Sequence, residues 1–307
     1  MSTVGEKVDP QTFEGILRLA FEKGVNLIDT AENYGMGKAP AIIGDTLKRL
    51  EWNRSSYVLL SKVFFGGRGP NQMGLSLKHI RESCDKALRD LNTDYLDVFL
   101  CHSFDINTPL EETIFAMDHL IQTGKVLYWG TSNWNAEQIS AAAKICKENG
   151  YRMPVAHQPC YNLMTKKEVD ETLNPIAIEH GIGFTTFSPL NSGYLTGKYT
   201  DPANLTDSRF TLPRFQDTKS ELLSSERTSS YVTLIKQLKL IATELECTPA
   251  QLAIAWCLKN PQVASVILGA TSTQQIAENL DAVNVLEKIS PDIMSVLDRA
   301  AIEMPAN

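Results

Sequence analysis

The sequence has no cysteine pair at disulfide or metal-site spacing, no apolar run of transmembrane length and no excess of positive charge. Its six cysteines include no CxxC pair, and several stand inside apolar runs, as small hydrophobic residues do. A reducing compartment is the simplest expectation. No stretch approaches the roughly 20 apolar residues of a membrane helix, and the start lacks the apolar segment of a signal peptide. We therefore expect a cytoplasmic protein without direct membrane insertion.

The charge balance disfavours a nucleic-acid partner. The 307 residues include 36 acidic residues against 29 lysines and arginines, for a net charge of −7. Such a chain offers no basic field for a phosphate backbone. Small molecules are the expected partners, and the length is sufficient for a large core without disulfide or metal staples.

Short β-branched segments alternate with helical patterns along the chain. The helical patterns carry apolar residues at i, i+3 and i+4 and end at glycine, as in TFEGILRLAFEKG and AEQISAAAKICKENG. Strands that alternate with helices pair in parallel, with both faces of the sheet covered. The predicted strands lie at 25–30, 57–63, 97–102, 127–132, 155–159, 183–188 and 264–270.

The interval before the last predicted strand is much longer than the others. It begins with a proline-containing polar stretch and continues with helical patterns at about 226–246 and 249–259. A long loop after a strand is commonly functional, which favours a lid-like insertion at about 190–225. No linker interrupts the chain, so we expect one domain over residues 1–307.

Two α/β architectures share this pattern: the closed eight-stranded (β/α)8 TIM barrel and the open doubly wound sheet. The doubly wound dinucleotide fold carries GxGxxG after its first strand. Here that turn reads TAENYGMGKAP, which holds only GMG. GYLTGKY likewise lacks the phosphate-loop pattern. The barrel is the favoured fold, although only seven strands are predicted.

Four ionisable residues stand where strand-following loops build active sites. Asp29, Lys62 and His102 each lie at or just past the end of a predicted strand, and Tyr34 follows Asp29 in its loop. Neighbouring parallel strands bring such positions to one edge of the sheet. Each residue taken alone is more often structural: a cap, a loop aromatic, a solvated lysine or a satisfied histidine. The combination on successive strands is what points to catalysis.

These four side chains suit the reduction of a carbonyl group. Reduction places negative charge on the oxygen, so a site must donate a proton and stabilise that charge. Tyr34 supplies the proton, and Lys62 is expected to bring the tyrosine pKa, ordinarily about 10, closer to neutral pH. Asp29 keeps Lys62 charged and aimed, while His102 orients the carbonyl oxygen. No metal is required.

The remaining histidines give weaker signals. His79, His119 and His180 lie on helical patterns beside charged neighbours, which favours surface positions. His157 lies inside a predicted strand and could point into the barrel.

In order and spacing, several motifs resemble the aldo-keto reductase family, especially the branch that includes the β-subunits of voltage-gated potassium channels. They include GVNLIDTAENYG, YVLLSKVFFGG, YWGTSNW, SPLNSGYLTGKY and VILGATSTQQIAENL. The resemblance implies a (β/α)8 barrel that binds NADPH at the carboxyl ends of its strands. It also places the family's catalytic Asp, Tyr, Lys and His on Asp29, Tyr34, Lys62 and His102.

The same resemblance assigns a cofactor site. Three residues would hold the nicotinamide carboxamide, one would lie near its ring, and the others would contact the pyrophosphate, the phosphates and the adenosine end with its 2′-phosphate. In that order they are Ser132, Asn133 and Gln158; Phe187; Ser188, Leu190, Ser192 and Gly193; Lys198, Ser208 and Arg209; and Gly269, Thr271, Gln275, Glu278 and Asn279. Pro189 is a further expected cofactor-binding residue. A helix amino terminus near Ser272 and the basic side chains favour NADPH over NADH.

Three departures from the family pattern bear on function. Only MSTVGEKV precedes the first helical pattern, so the family's first strand is expected to be absent. His102 stands where the channel β-subunits carry Asn, and Asn133 where they carry Arg. Histidine favours an NADPH-dependent reductase of aldehydes or ketones over the alternative, an NADPH-binding, redox-sensing accessory β-subunit of a potassium channel. A third alternative is a protein that lost function with its first strand. A homo-oligomer is possible in this branch.

Overall fold

A computed structural model describes residues 4–200 and 225–301, with side chains in the second range from residue 230 onward. Seven strands lie within these ranges. They are β1 (Leu27–Asp29), β2 (Val58–Val63), β3 (Leu96–Cys101), β4 (Val126–Ser132), β5 (Ala156–Gln158), β6 (Gly183–Thr186) and β7 (Val263–Val266). Every predicted strand is therefore present, several of them shorter than expected.

Helices follow the strands in alternation. They are α1 (Pro10–Glu22), α2 (Ala39–Leu50), α3 (Leu77–Asp90), α4 (Leu110–Gln122), α5 (Ala136–Asn149), α6 (Asn174–His180), α7 (Ser225–Glu244), α8 (Pro249–Leu258), α9 (Thr273–Leu280) and α10 (Pro291–Ala300). Their ends follow local chemistry. Asp9 caps α1 ahead of Pro10, and a capping box of Asn135 and Gln138 begins α5, which ends at the left-handed Gly150.

Strands β1 to β6 pair in parallel in their sequence order. The registers run Leu27↔Val58, Leu60↔Val98, Gly130↔Ala156 and Ala156↔Gly183. A doubly wound dinucleotide fold would instead place its first strand inside the sheet. The expected α/β class, with the strand and helix order of a (β/α)8 barrel, is confirmed.

The chain separates into two compact units. One contains Met1–Pro159, Thr172–Thr185 and Leu268–Ala277, and the other contains Cys160–Glu171, Thr186–Ile267 and Glu278–Asn307. The expectation of one domain stays a prediction. Most of the expected lid-like insertion, residues 201–224, lies outside the described residues.

Ahead of α1, the described residues form no strand. Val4 and Val8 make an isolated β-bridge, and both side chains are buried. The pattern TQQIAENLDAVNVL also differs from expectation, because the α-helix ends at Leu280 and a 3₁₀ segment continues over Asp281–Lys288. None of the helices in the described ranges is long and apolar enough to cross a membrane.

The first unit packs its helices closely against one another. In α2, a methyl group built on Gly44 would lie 2.2 Å from the carbonyl oxygen of Asp90 and 2.6 Å from Cα of Leu91. Both neighbours are backbone atoms, which cannot rotate away as a flexible side chain could. Gly44 is therefore required by the contact between α2 and the end of α3.

We expect Gly44→Ala to lower the free energy of unfolding by about 1–3 kcal/mol, because overpacking forces the two helices apart. The matched control is Gly15→Ala in α1, where the nearest obstacle is the methyl group of Thr273 at 3.3 Å. There alanine gains helix propensity, so stability should stay within about 1 kcal/mol of the parent. Urea unfolding followed by circular dichroism measures both, and equal midpoints for the two variants would contradict the packing argument.

Candidate active site

The alternation of strand side chains places polar residues directly above an apolar layer. Leu60, Leu100 and Ala156 form a buried cluster on one face of the sheet. Because side chains two apart share a face, Lys62, His102 and Gln158 continue that face toward the carboxyl ends of the strands. The register Asp29↔Leu60 places Asp29 at the same edge.

Asp29 and Lys62 form a buried ion pair at this edge. Lys62 Nζ donates to both carboxylate oxygens of Asp29, at 2.6 and 2.8 Å, and to the Thr30 carbonyl oxygen at 3.0 Å. The Lys62 side chain is fully buried. Burial alone lowers the pKa of Lys62, but the Asp29 carboxylate and the Tyr34 hydroxyl together outweigh it, and the pKa lies above its ordinary value. Burial likewise raises the pKa of Asp29, yet the Lys62 charge, together with the hydrogen bonds from Lys62 and Gln158, holds it below its ordinary value. Both groups are therefore charged at neutral pH.

Tyr34 joins this pair through its phenol. The hydroxyl oxygen lies 3.3 Å from Lys62 Nζ, and the Nζ atom lies 4.8 Å from the centre of the tyrosine ring. Lys62 pulls the tyrosine pKa down, but burial pushes it up more strongly, so the pKa of Tyr34 lies above 10.0. The expected net decrease is thus wrong for this structure, because burial of the phenol raises its pKa by more than the Lys62 ammonium lowers it. Tyr34 is a protonated donor at neutral pH.

His102 completes the group and is neutral. Its ring lies edge-on to Tyr34 with 5.8 Å between ring centres, and edge-on to Phe65 at 5.3 Å. Burial, with the nearby Lys62 charge, lowers the pKa of His102 to about 3. Its Nδ1 is buried without a hydrogen-bond partner among the described residues. The four predicted catalytic residues therefore lie together, as a charged pair, a protonated phenol and a neutral imidazole.

The residues assigned to the nicotinamide carboxamide lie next to this group. Gln158 Nε2 donates to Asp29 Oδ1 at 3.0 Å, and Ser132 Oγ donates to the Gln158 carbonyl oxygen at 2.8 Å. Asn133, with a positive φ of 55°, donates from Nδ2 to the His102 carbonyl oxygen at 3.0 Å. These hydrogen bonds connect the ends of β3, β4 and β5 with one another. From the sequence, the same side chains were expected only to bind the nicotinamide.

A buried polar cluster beside Tyr34 was missed in the sequence. Glu32 is 8% exposed, and its carboxylate accepts from the Phe64 amide, the Ser83 hydroxyl and, at 3.3 Å, His79 Nε2. His79 is 5% exposed, so its predicted surface position is wrong. The signal was available, because His79 and Ser83 are four residues apart and share one face of α3.

His157 is fully buried, and its Nδ1 lies 2.8 Å from Thr131 Oγ1. His119 is exposed, as expected.

In the second unit, the loop after β6 has an unusual backbone. Positive φ angles occur at Ser188 (55°), Asn191 (40°), Ser192 (57°) and Gly193 (95°). Three of these are not glycine, and such strain is typical of functional loops. Backbone N–H groups in consecutive turns of this kind form concave sites for anions. The residues assigned to the pyrophosphate, Ser188, Leu190, Ser192 and Gly193, lie on this loop together with Pro189.

The other residues of the assigned cofactor site fall in several places. Lys198 lies beside that loop, because a methyl group built on Gly193 would be 3.2 Å from its Cε. Phe187 is half-buried and forms an isolated bridge with Cys160. Glu278 and Asn279 lie in α9. Ser208 and Arg209 lie outside the described residues.

Of the residues assigned to the adenosine end, Gly269, Thr271 and Gln275 lie in the first unit, on or next to an exposed turn ahead of α9. Gln275 Oε1 accepts from the backbone N–H of Thr271 at 2.9 Å and from its hydroxyl at 3.0 Å. Gly269 is exposed, and nothing lies within 4 Å of a methyl group built on it. This turn has room for a ligand beside the amino terminus of the helix.

Comparison with known proteins points to one family. The model of the aldo/keto reductase family, whose members are oxidoreductases that generally bind NAD(P)H, matches residues 1–302. A probable voltage-gated potassium channel subunit beta from Arabidopsis thaliana is 42% identical over 303 residues, which are 99% of this chain and 91% of that protein. A protein of the same description from Oryza sativa subsp. japonica is 40% identical, with the same coverage. A putative voltage-gated potassium channel subunit beta from Schizosaccharomyces pombe is 39% identical over 95% of this chain and 85% of its own. The chain belongs to the aldo/keto reductase family.

Proposed function

We propose that this protein reduces aldehydes or ketones to alcohols with NADPH, and that Tyr34 donates the proton. The observation that supports this most strongly is the hydrogen-bonded chain from Asp29 through Lys62 to the phenol of Tyr34. Its components have the protonation states that carbonyl reduction needs. The substrate is a small carbonyl compound, and the place of action is the cytoplasm.

The chemistry divides among the four side chains. Bound NADPH supplies the hydride. The neutral imidazole of His102 donates a hydrogen bond to the carbonyl oxygen and orients it. Tyr34 gives its proton to that oxygen as negative charge develops, and the Lys62 ammonium stabilises the phenolate that remains. Asp29 holds Lys62 charged within hydrogen-bond distance of the phenol.

The cofactor residues fit this proposal. Ser132, Asn133 and Gln158 lie at strand ends beside the catalytic group. The strained loop that contains Ser192 and Gly193 suits a pyrophosphate, and the exposed turn at Thr271 and Gln275 suits the adenosine end. The assignment of all these residues to one NADPH molecule rests on the resemblance to the family.

We expect Tyr34→Phe to reduce turnover of an aldehyde such as 4-nitrobenzaldehyde by at least about 100-fold, because the proton donor is removed. The Kd of NADPH, measured by quenching of intrinsic fluorescence, should change less than threefold. The matched control is Tyr128→Phe, at a tyrosine on β4 that is 54% exposed, which should retain full turnover. Full turnover in Tyr34→Phe would reject the mechanism.

The pH profile of reduction tests the protonation states. Because the pKa of His102 is lowered to about 3, the imidazole stays neutral between pH 5 and 8, and kcat/KM should be flat across that range. The raised pKa of Tyr34 keeps the donor protonated there too. His119→Asn, at an exposed histidine, should give the same profile. An ionisation near the ordinary histidine value of 6.5 that disappears in His102→Asn would contradict the neutral imidazole.

The preference for NADPH over NADH is testable at the adenosine end. If Gln275 lies beside the 2′-phosphate, Gln275→Glu should weaken NADPH by at least about tenfold through charge repulsion and leave NADH within threefold. Its exposed neighbour offers the control Gln274→Glu. Equal weakening of both cofactors by Gln275→Glu, or no weakening of either, would remove this contact from the proposal.

The second candidate function is that of an accessory β-subunit of a potassium channel, which the names of the three relatives favour. Co-expression with a voltage-gated potassium channel from the same organism, followed by detergent purification of the channel, tests this role. Copurification with negligible aldehyde turnover would favour the subunit over the reductase. A homo-oligomer is part of either proposal.

A further inference from the structure

We propose that Glu32 is a positioning residue, whose buried carboxylate fixes the loop of Tyr34 against the end of the strand that contains Lys62. This inference rests on the proposed function, because it names a residue that acts through the proposed proton donor. Glu32 lies three residues after Asp29 and two before Tyr34, in the same short loop.

Glu32 is bound to β2 at two points. Its backbone N–H donates to the Lys62 carbonyl oxygen at 3.2 Å, and its Oε1 accepts from the Phe64 N–H at 2.6 Å. These two partners flank Val63, at the point where β2 ends. The loop therefore cannot shift along the strand without breaking both hydrogen bonds. Such a shift would also lengthen the 3.3 Å contact between Lys62 Nζ and the Tyr34 hydroxyl.

The second carboxylate oxygen ties the loop to α3. Oε2 accepts from Ser83 Oγ at 2.6 Å, while His79 Nε2 lies 3.3 Å from Oε1 and donates to it when Nε2 carries the proton. The one side chain thus joins the β1 loop, the end of β2 and the helix that follows. Both oxygens have partners, which compensates for the removal of this carboxylate from water.

The loop after β2 closes over the same cluster. A methyl group built on Gly66 would lie 2.6 Å from Cε1 of His79 and 3.0 Å from Oε2 of Glu32. Only a residue without a side chain fits this approach. Phe65, adjacent to Gly66, packs edge-on against His102. Glu32 therefore connects its own loop, which also contains Tyr34, with the loop that places Phe65 beside His102.

Stability alone does not explain a carboxylate at this position. A buried charge with hydrogen-bond partners is often no more stabilising than a well-packed apolar residue of similar volume. The carboxylate also fixes the position of the loop. Its hydrogen bonds to one amide, one hydroxyl and one imidazole are compatible with a single placement of the loop. A phenol that must reach both an ammonium and a substrate oxygen needs that accuracy.

The test combines amide hydrogen exchange with kinetics, so that the positioning role is measured even where turnover is absent. In Glu32→Ala we expect exchange in residues 30–38 and 64–67 to rise at least about tenfold, while β4 is unchanged. The kcat for 4-nitrobenzaldehyde should fall at least about tenfold, and the Kd of NADPH should stay within threefold. Glu32→Gln, which keeps an acceptor for Phe64 and the side-chain volume, should restore exchange and kcat to within threefold of the parent.

The matched control is Asp97→Ala. Asp97 also accepts from a β2 amide, that of Leu59 at 2.7 Å, and pairs with Arg54, but at the opposite end of the strands. It should lower stability without changing kcat or the exchange of residues 30–38. Ser83→Ala is the milder second variant, for which we expect a threefold or larger effect in both readouts. If Glu32→Ala does not fold, the amide exchange and the kcat of Ser83→Ala test the proposal instead.

Three outcomes would overturn the proposal: parent-like exchange and kcat in Glu32→Ala, parent-like values in Ser83→Ala, or an equal loss of kcat in Asp97→Ala at equal stability. If the parent protein reduces no carbonyl compound while Glu32→Ala still loosens residues 30–38, the proposed function fails and the loop-fixing role of Glu32 stands.

Discussion

The buried ion pair of Asp29 and Lys62 is the interaction on which the rest of the site depends. An ammonium with no exposed surface loses its hydration, and its attraction to the carboxylate compensates only because both oxygens lie within hydrogen-bond distance. Removing one partner of such a pair leaves an uncompensated buried charge, at a cost of about 3–5 kcal/mol. The two residues come from adjacent strands. The register of β1 against β2 brings them together, and the ion pair in turn stabilises that register.

An apolar layer lies directly beneath the site. Leu60, Leu100 and Ala156 are packed below the polar edge, each two residues before a polar residue of the site. Because strand side chains alternate between faces, one register shift would bury the wrong set and remove the polar one from the edge. The same alternation that builds the core therefore places Lys62, His102 and Gln158.

Much of this could be predicted from the sequence, for reasons that the structure makes clear. The strand ends were visible as β-branched runs, and parallel pairing brings such ends to one edge, so Asp29, Lys62 and His102 followed. The pKa of Tyr34 could not be predicted, because it depends on how much desolvation opposes Lys62. His79 was misplaced because the prediction relied on its charged sequence neighbours and overlooked the helix face that it shares with Ser83. The end of α9 at Leu280 could not be predicted either, because the helical pattern of apolar residues continues past it without interruption.

The protonation states determine which group of the site is able to donate a proton. At neutral pH the charges of Asp29 and Lys62 compensate each other, and the shifted pKa values keep Tyr34 protonated and His102 uncharged. In the proposed reaction the phenol proton is the one that leaves toward a substrate, because a neutral imidazole donates a hydrogen bond without giving up its proton. Burial raises the pKa of the phenol when no charge develops nearby, yet growing negative charge on a substrate oxygen draws the proton toward it. An arrangement that resists loss of the proton to water and releases it to a developing alkoxide is suited to reduction.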